Sequence, residues 1–139
     1  MMAYVPGLDM LNYLDAHSTA VTGNTNLFQG IVRAPTTGSP GVPVECVFVL
    51  GDAGPPPFRV LGTATEIRQP TVSILVRSSG FTTGQTLAWA VHDALQSASP
   101  STGNAYMDVQ TQQSQPNFLE QDKNGHYFWS INVLTRYQT

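Results

Sequence analysis

Charged residues and cysteine are scarce in this chain. Only 11% of its 139 residues are charged, against an average near ~25% for soluble domains. Nine acidic and six basic residues give a net charge of −3, which argues against a free-standing nucleic-acid binder because such proteins usually carry a basic excess. Cys46 is the single cysteine, so no internal disulfide can form and a secreted, disulfide-stapled framework is excluded.

The sequence also lacks the patterns of membrane and cofactor proteins. No apolar run approaches the ~20 residues that cross a bilayer, and no basic residue precedes Arg33 to open a signal peptide. Glycine-rich phosphate loops, the H-E-x-x-H motif and Cys/His spacings typical of zinc are missing. We therefore expect a protein made in a reducing cytoplasm, with no membrane partner and no cofactor.

Hydrophobic periodicity predicts an α+β fold. Helices are expected at 8–17, where Leu8, Leu11 and Leu14 share a face, and at 82–95, opened by a capping box of Thr82 and Gln85. Strands are expected at 27–33, 42–50, 60–67 (weakly), 71–77, 106–112 and 126–137. We predict one domain, residues 1–139, with a mostly antiparallel β-sheet and two α-helices packed on one face.

Two strands show where the core should lie. The strand at 42–50 is apolar on both sides, with Glu45 its lone charge, so it should be central or covered by a partner. In the last strand the odd-numbered residues should face the core. The run Tyr127-Phe128-Trp129 cannot point to one side of a strand, so at least one ring should emerge on the opposite face.

Three chemically capable groups fall short of a catalytic or metal site. His92 lies beside the apolar stripe of the second helix without an identifiable partner, which favours a packing role over general-base catalysis. Cys46, within an apolar strand, is typical of an inert buried thiol. Glu120 and Asp122 could share a cation, but further oxygen ligands at suitable spacing are missing. We expect no catalytic and no metal-binding residues.

Five blocks in order carry a resemblance. They are Asn26-Leu27-Phe28-Gln29-Gly30, the strand 71–77 that ends in Val76-Arg77, the helix 82–95, the segment 116–125 (PNFLEQDKNG), and the strand Phe128-Trp129-Ser130-Ile131-Asn132-Val133. In this respect the sequence resembles the minor-capsid and tail-terminator family of long-tailed bacteriophages, which shows "LF-x-G", "V-x-V-R", "P-x-x-L-G-x-D-x-x-G-R" and "F-S-x-N-F" blocks. It departs from that pattern at Glu120 and His126.

The resemblance implies a structural virion protein rather than an enzyme. Family members form a ring, usually a hexamer, that ends the tail tube and binds the head connector. The implied partners are other copies of the chain, the tail tube protein and the head connector or completion protein, with DNA passing through the lumen without specific binding. Low charge and two-faced apolar strands agree with a ring subunit, which buries several surfaces.

For contacts between subunits or along the axis, we expect four residues to matter: Arg77, Phe118, Leu119 and Trp129. Arg77 follows a strand, where its guanidinium suits a bidentate carboxylate contact, although a plain surface arginine fits equally. Three alternatives stay open. They are another neck component such as a completion protein, a small cytoplasmic enzyme using His92 with a carboxylate, and a ligand-binding module with a deep pocket.

Overall fold

The computed structural model describes residues 6–17, 21, 26–30, 44–51, 53–59, 61, 62, 64–96, 108–123 and 125–138. Within these ranges, two helices and eight strands follow one another along the chain. They are α1 Pro6–His17, β1 Leu27–Gln29, β2 Cys46–Gly51, β3 Phe58–Arg59, β4 Glu66–Arg68, β5 Thr71–Ser78, α2 Phe81–Gln96, β6 Asp108–Thr111, β7 Asn117–Gln121 and β8 Tyr127–Gln138. The predicted strand residues 31–33, 42, 43, 60, 63, 106 and 107 lie outside the described residues.

The strands form one sheet in the order β1-β2-β5-β8-β4-β3, and β6 and β7 also pair with β8. The β1–β2 pair is parallel and the other described pairs are antiparallel. β8 is 12 residues long and pairs with four strands, which gives the sheet its continuity. The predicted α+β fold with a mostly antiparallel sheet is confirmed.

Both helices cover the same face of the sheet. The odd-numbered residues of β8 are buried from Trp129 to Tyr137, as predicted, because a strand turns alternate side chains to one face. The core also contains apolar residues of β2, β5 and both helices, among them Val47, Val49, Val72, Ile74, Val76, Met10, Leu14, Val91 and Leu95. β2 lies between β1 and β5 and buries Cys46 through Val49, so its prediction as a central strand is confirmed.

Two local predictions were wrong. In α1 the large apolar residues that are buried are Met10, Tyr13 and Leu14, Leu11 is partly buried against the core, and Leu8 is exposed. Met10, Tyr13 and Leu14 have the i, i+3, i+4 spacing of one helix face, and packing selected this face rather than the Leu8 face. The weak strand predicted at 60–67 is not continuous: the described residues 61, 62, 64 and 65 lie outside strands, with Gly62 at φ 80°, and β4 begins only at Glu66.

Candidate assembly surface

The start of α2 is set by Glu45, the residue directly before β2. Its carboxylate accepts hydrogen bonds from the Ser79 hydroxyl (2.5 Å) and the Ser79 backbone N–H (3.2 Å). The Ser79 hydroxyl, more than the other contacts, holds the pKa of Glu45 below its ordinary value. An anion at this position also suits the positive end of the helix dipole.

The predicted capping box of Thr82 and Gln85 was wrong, because the helix begins before Thr82. α2 begins at Phe81, and the Gly84 N–H already donates to the Gly80 carbonyl at 2.9 Å. Thr82 therefore lies inside the first turn, where its carbonyl accepts from the Thr86 hydroxyl. Ser78, Ser79 and Glu45 hold the strand-to-helix turn, and the sequence offered no local signal for Glu45 because it is more than thirty residues away.

Gly84 allows the first turn of α2 to lie directly on β8. A Cβ atom at this position would overlap the Trp129 ring and stand 2.7 Å from the Ser78 Cβ. No larger residue fits without moving the helix or the indole. This close approach buries Trp129, whose exposed fraction is 2%.

Four rings cluster where α2, β7 and β8 meet. We call Phe81, Phe118, Tyr127 and Trp129 the aromatic cluster. The Phe81 ring lies 5.4 Å from Phe118, 5.7 Å from Tyr127 and 5.5 Å from Trp129, measured between centroids. These distances and the mostly tilted or edge-to-face orientations are those of favourable aromatic pairs. Trp129 is the buried base of the cluster, while Phe81 and Phe118 reach solvent.

The outer side of this cluster is an exposed apolar surface. All five residues of β7 are exposed, including Phe118 at 43% and Leu119 at 47%. The pairing with β8 shifts register between Phe118 and Glu120, so Leu119 is the extra residue of a β-bulge. Beside β7, a cleft of about 280 Å³ is lined by Phe81, Gln85, Trp89, Gln115, Pro116, Asn117, Phe118 and Trp129. We call it the aromatic cleft.

A turn holds β7 against β8 at the end of this surface. The Asp122 N–H donates to the His126 carbonyl at 2.8 Å, and the Asp122 carboxylate accepts from the His126 N–H at 2.9 Å. Gly125 adopts φ 81°, as the predicted tight turn requires. Asn124 lies outside the described residues.

Arg77 is on the face of the sheet opposite the helices and is buried. Its Nε donates to the Val44 carbonyl at 3.1 Å, its Nη2 lies 3.1 Å from the Cys46 sulfur, and its guanidinium carbon lies 4.9 Å from the centre of the Phe48 ring. This arginine is therefore anchored within its own chain. Arg77 lies on the opposite face of the sheet from Trp129, although Val76 next to it pairs with Trp129. Phe118 packs against Trp129, and Leu119 follows Phe118 on β7.

Residues 29–139 match the sequence family described as bacteriophage tail terminator protein. The chain belongs to this family. The match covers most of the chain and includes the blocks at 71–77, 82–95, 116–125 and 128–133 that carried the resemblance. It confirms a structural protein of the phage tail and virion.

One solved structure similar to this terminator is a chain in "Virion of native gene transfer agent (GTA) particle". The two share 18% sequence identity with a TM-score of 0.52, over 83% of this chain and 80% of the other. At that identity the likeness concerns the fold. None of the curated proteins matches the chain.

His92 and Cys46, the two groups considered for catalysis, are both buried in this terminator. The His92 ring is fully buried, and its Nε2 lies 2.8 Å from the Gln113 carbonyl, which makes Nε2 the donor and ties α2 to the β6–β7 connection. The nearest Asp93 oxygen is 3.9 Å from Nδ1, beyond hydrogen-bond distance. Burial raises the pKa of the Cys46 thiol, and the Arg77 guanidinium offsets this only in part.

Across the described ranges, no three acidic, histidine or cysteine side chains come together as metal ligands would. No described helix is long and apolar enough to span a membrane.

Proposed function

We propose that this terminator forms a ring, with six copies as the expected number, that ends the tail tube and joins the tail to the head connector. The observation that carries the proposal is the exposed apolar surface of β7 and the aromatic cleft, found on a chain of the tail terminator family. An edge strand that presents Phe118 and Leu119 to water is a recognised site for contact with another chain.

The contact between copies would be head-to-tail, with different surfaces of one subunit meeting those of the next, and it closes by rotation. One axial face of the ring would match the last ring of the tube. The other would lack the surface that adds further tube subunits, so elongation stops there and the head connector can bind.

The four predicted contact residues take different parts in this proposal. Phe118 and Leu119 would touch the neighbouring subunit or the tube directly because they are exposed. Trp129 and Arg77 are buried within the chain. Their contribution would be to support the surface: Trp129 lies under Phe118, with ring centroids 5.5 Å apart, and Arg77 holds the start of β2.

Polymerisation of the tail tube protein tests this role. We expect purified terminator, added to growing tubes, to stop elongation and to add one ring of density at a single tube end in electron micrographs. Tubes made without it should continue past their normal length. Unchanged elongation together with binding to isolated head connectors would instead identify another neck component, such as a completion protein.

A further inference from the structure

A short two-stranded ribbon projects from the sheet at the end opposite the aromatic cleft. We call β3, β4 and the described residues between them (61, 62, 64 and 65) the arm. β3 pairs with β4 through Phe58–Ile67 and Arg59–Glu66, and β4 pairs with β8 only at Gln138 and Tyr137. Near its tip Leu61 is 97% exposed, and Phe58 is 58% exposed. A ribbon of this kind gains little stability by itself, so two large apolar side chains in water suggest a contact.

The base of the arm is held firmly. Gly54, at φ 73°, packs against the chain at Pro70, where a Cβ would stand 2.8 Å from the Pro70 Cα. The Gln69 side chain donates to the Pro56 carbonyl at 2.8 Å, and the Thr135 hydroxyl donates to the Pro70 carbonyl at 2.8 Å. Pro55 through Pro57 add stiffness because proline fixes φ. An arm held in one direction loses less entropy when its tip binds.

The arm cannot reach the aromatic cleft of its own chain. β4 pairs with the last two residues of β8, whereas β7 and Phe81 contact its first residues, Tyr127 to Trp129. Ten residues of extended strand separate Tyr127 from Tyr137, which is roughly 30 Å. Because β4 is antiparallel to β8, the tip of the arm points still further from the cleft.

We propose that the arm of one copy packs Leu61 and Phe58 into the aromatic cleft of the next copy. This inference rests on the proposed ring and names its subunit contact. The exposed apolar tip and the exposed rings beside the cleft, Phe81, Trp89 and Phe118, belong to this chain and lie at opposite ends of it, which is the arrangement that a head-to-tail contact requires. Every tip and every cleft is then covered once the ring closes.

Charge and strand geometry favour a second copy and a side-chain contact. The arm presents exposed Arg59, and β7 presents exposed Glu120 next to the cleft, so opposite charges would meet at the rim. The bulge at Leu119 interrupts the regular edge of β7, and bulges disfavour addition of a further strand. Phe81, Trp89 and Phe118 would therefore receive the tip between their rings, without a continued sheet.

Cysteine cross-linking tests the contact in terminator rings assembled on tail tubes. We expect oxidation of a Leu61→Cys, Gln85→Cys double variant to give a ladder of covalent oligomers, because Gln85 lines the cleft. The native Cys46 is buried and does not interfere. The matched control pairs Leu61→Cys with Gln96→Cys, an exposed position at the far end of α2, and should give no ladder. Equal ladders from both variants would contradict the proposal.

Leu61→Asp provides the second test, with Ala64→Asp as its control in the same exposed turn. Because Leu61 is almost fully exposed, the Leu61→Asp monomer should keep its fold. Loss of an apolar residue at the centre of a contact should weaken ring assembly about ten-fold or more, whereas Ala64→Asp should assemble like wild type.

The outcomes separate this inference from the proposed function. If wild type forms rings at tube ends and Leu61→Asp forms them equally well, the arm contact is wrong and the ring stands. If wild type neither forms rings nor stops tube growth, the proposed function fails, and the arm contact fails with it.

Discussion

Gly84 is the residue at which helix propensity and packing oppose each other most directly. Glycine within a helix costs about 1 kcal/mol relative to alanine. Here the missing Cβ leaves space for Trp129, which forms the base of the aromatic cluster. Glycine at this position lowers the helix propensity of α2, but it allows α2 to pack directly on β8.

We expect Gly84→Ala to destabilise the protein in spite of its better helix propensity. Overpacking against a buried ring costs typically ~1–3 kcal/mol, which outweighs the gain, so the free energy of unfolding in urea should fall. Thr83→Ala, at an exposed position of the same turn, is the control and should have little effect. An increase in stability on Gly84→Ala would show that the helix does not need this close approach.

Glu45 is the second residue with a defined energetic role. Its pKa is lowered in the folded chain, chiefly by the Ser79 hydroxyl. A carboxyl with a lowered folded pKa stabilises above its unfolded pKa, about 4.3, and this contribution is lost as pH falls through the folded value.

Glu45→Gln should therefore lower the melting temperature at neutral pH and should approach wild type in acid, below about pH 4. Thermal unfolding followed by circular dichroism across this range measures the difference. Glu120→Gln, at an exposed carboxylate of β7, is the control. A constant difference between Glu45→Gln and wild type from neutral to acidic pH would contradict the assignment.

At the scale of elements, β7 is a strand that, among the described strands, pairs with β8 alone, and all five of its residues are exposed. The Phe118 ring packs against the three other rings of the aromatic cluster. Leu119 is the extra residue of the bulge and is about half exposed. A change at Leu119 should therefore separate assembly from folding more cleanly than one at Phe118.

We expect Leu119→Asn to leave the melting temperature within a few degrees of wild type and to reduce ring formation on tail tubes. Gln121→Asn, a polar change on the same exposed strand, should leave both unaltered. The two measurements are thermal unfolding and the fraction of tube ends that carry a ring in electron micrographs. Normal ring occupancy with Leu119→Asn would remove this side chain from the proposed contact.

For the whole molecule, charge bears on how a ring would treat the DNA passing through it. A net charge of −3 with only six basic residues offers few groups to neutralise phosphates, and release of counterions drives non-specific DNA binding. A lumen built from such subunits would let DNA slide without being held.

Duplex DNA should consequently show no mobility shift with the terminator at physiological salt and protein concentrations up to about 10 μM, which lies within the range of dissociation constants for ordinary non-specific binding. A basic DNA-binding domain serves as the positive control. A shift that weakens steeply as salt rises would reveal a basic surface formed on assembly.

The sequence by itself determined the class of fold, the family, the two helices and the central and final strands. These follow from local patterns: the alternation along β8 and the apolar run of β2 depend only on neighbouring residues. The five ordered sequence blocks, among them the strand that ends at Arg77 and the segment that begins at Pro116, were sufficient for the resemblance. The bulge at Leu119 and the short strands β3 and β4, which stand where one strand was predicted at 60–67, depend on pairing across the sheet, which no local window contains.

Only the tertiary structure decided which of the predicted contact residues face solvent. Trp129 and Phe118 look alike in the sequence, yet α2 covers one through Gly84 and leaves the other at the edge. Likewise, Glu45 reaches the start of α2, and Leu61 is placed at the opposite end of the molecule from the aromatic cleft, because distant segments pair in the sheet. Burial and distance are set by which strands become neighbours, and that choice is made by the whole chain.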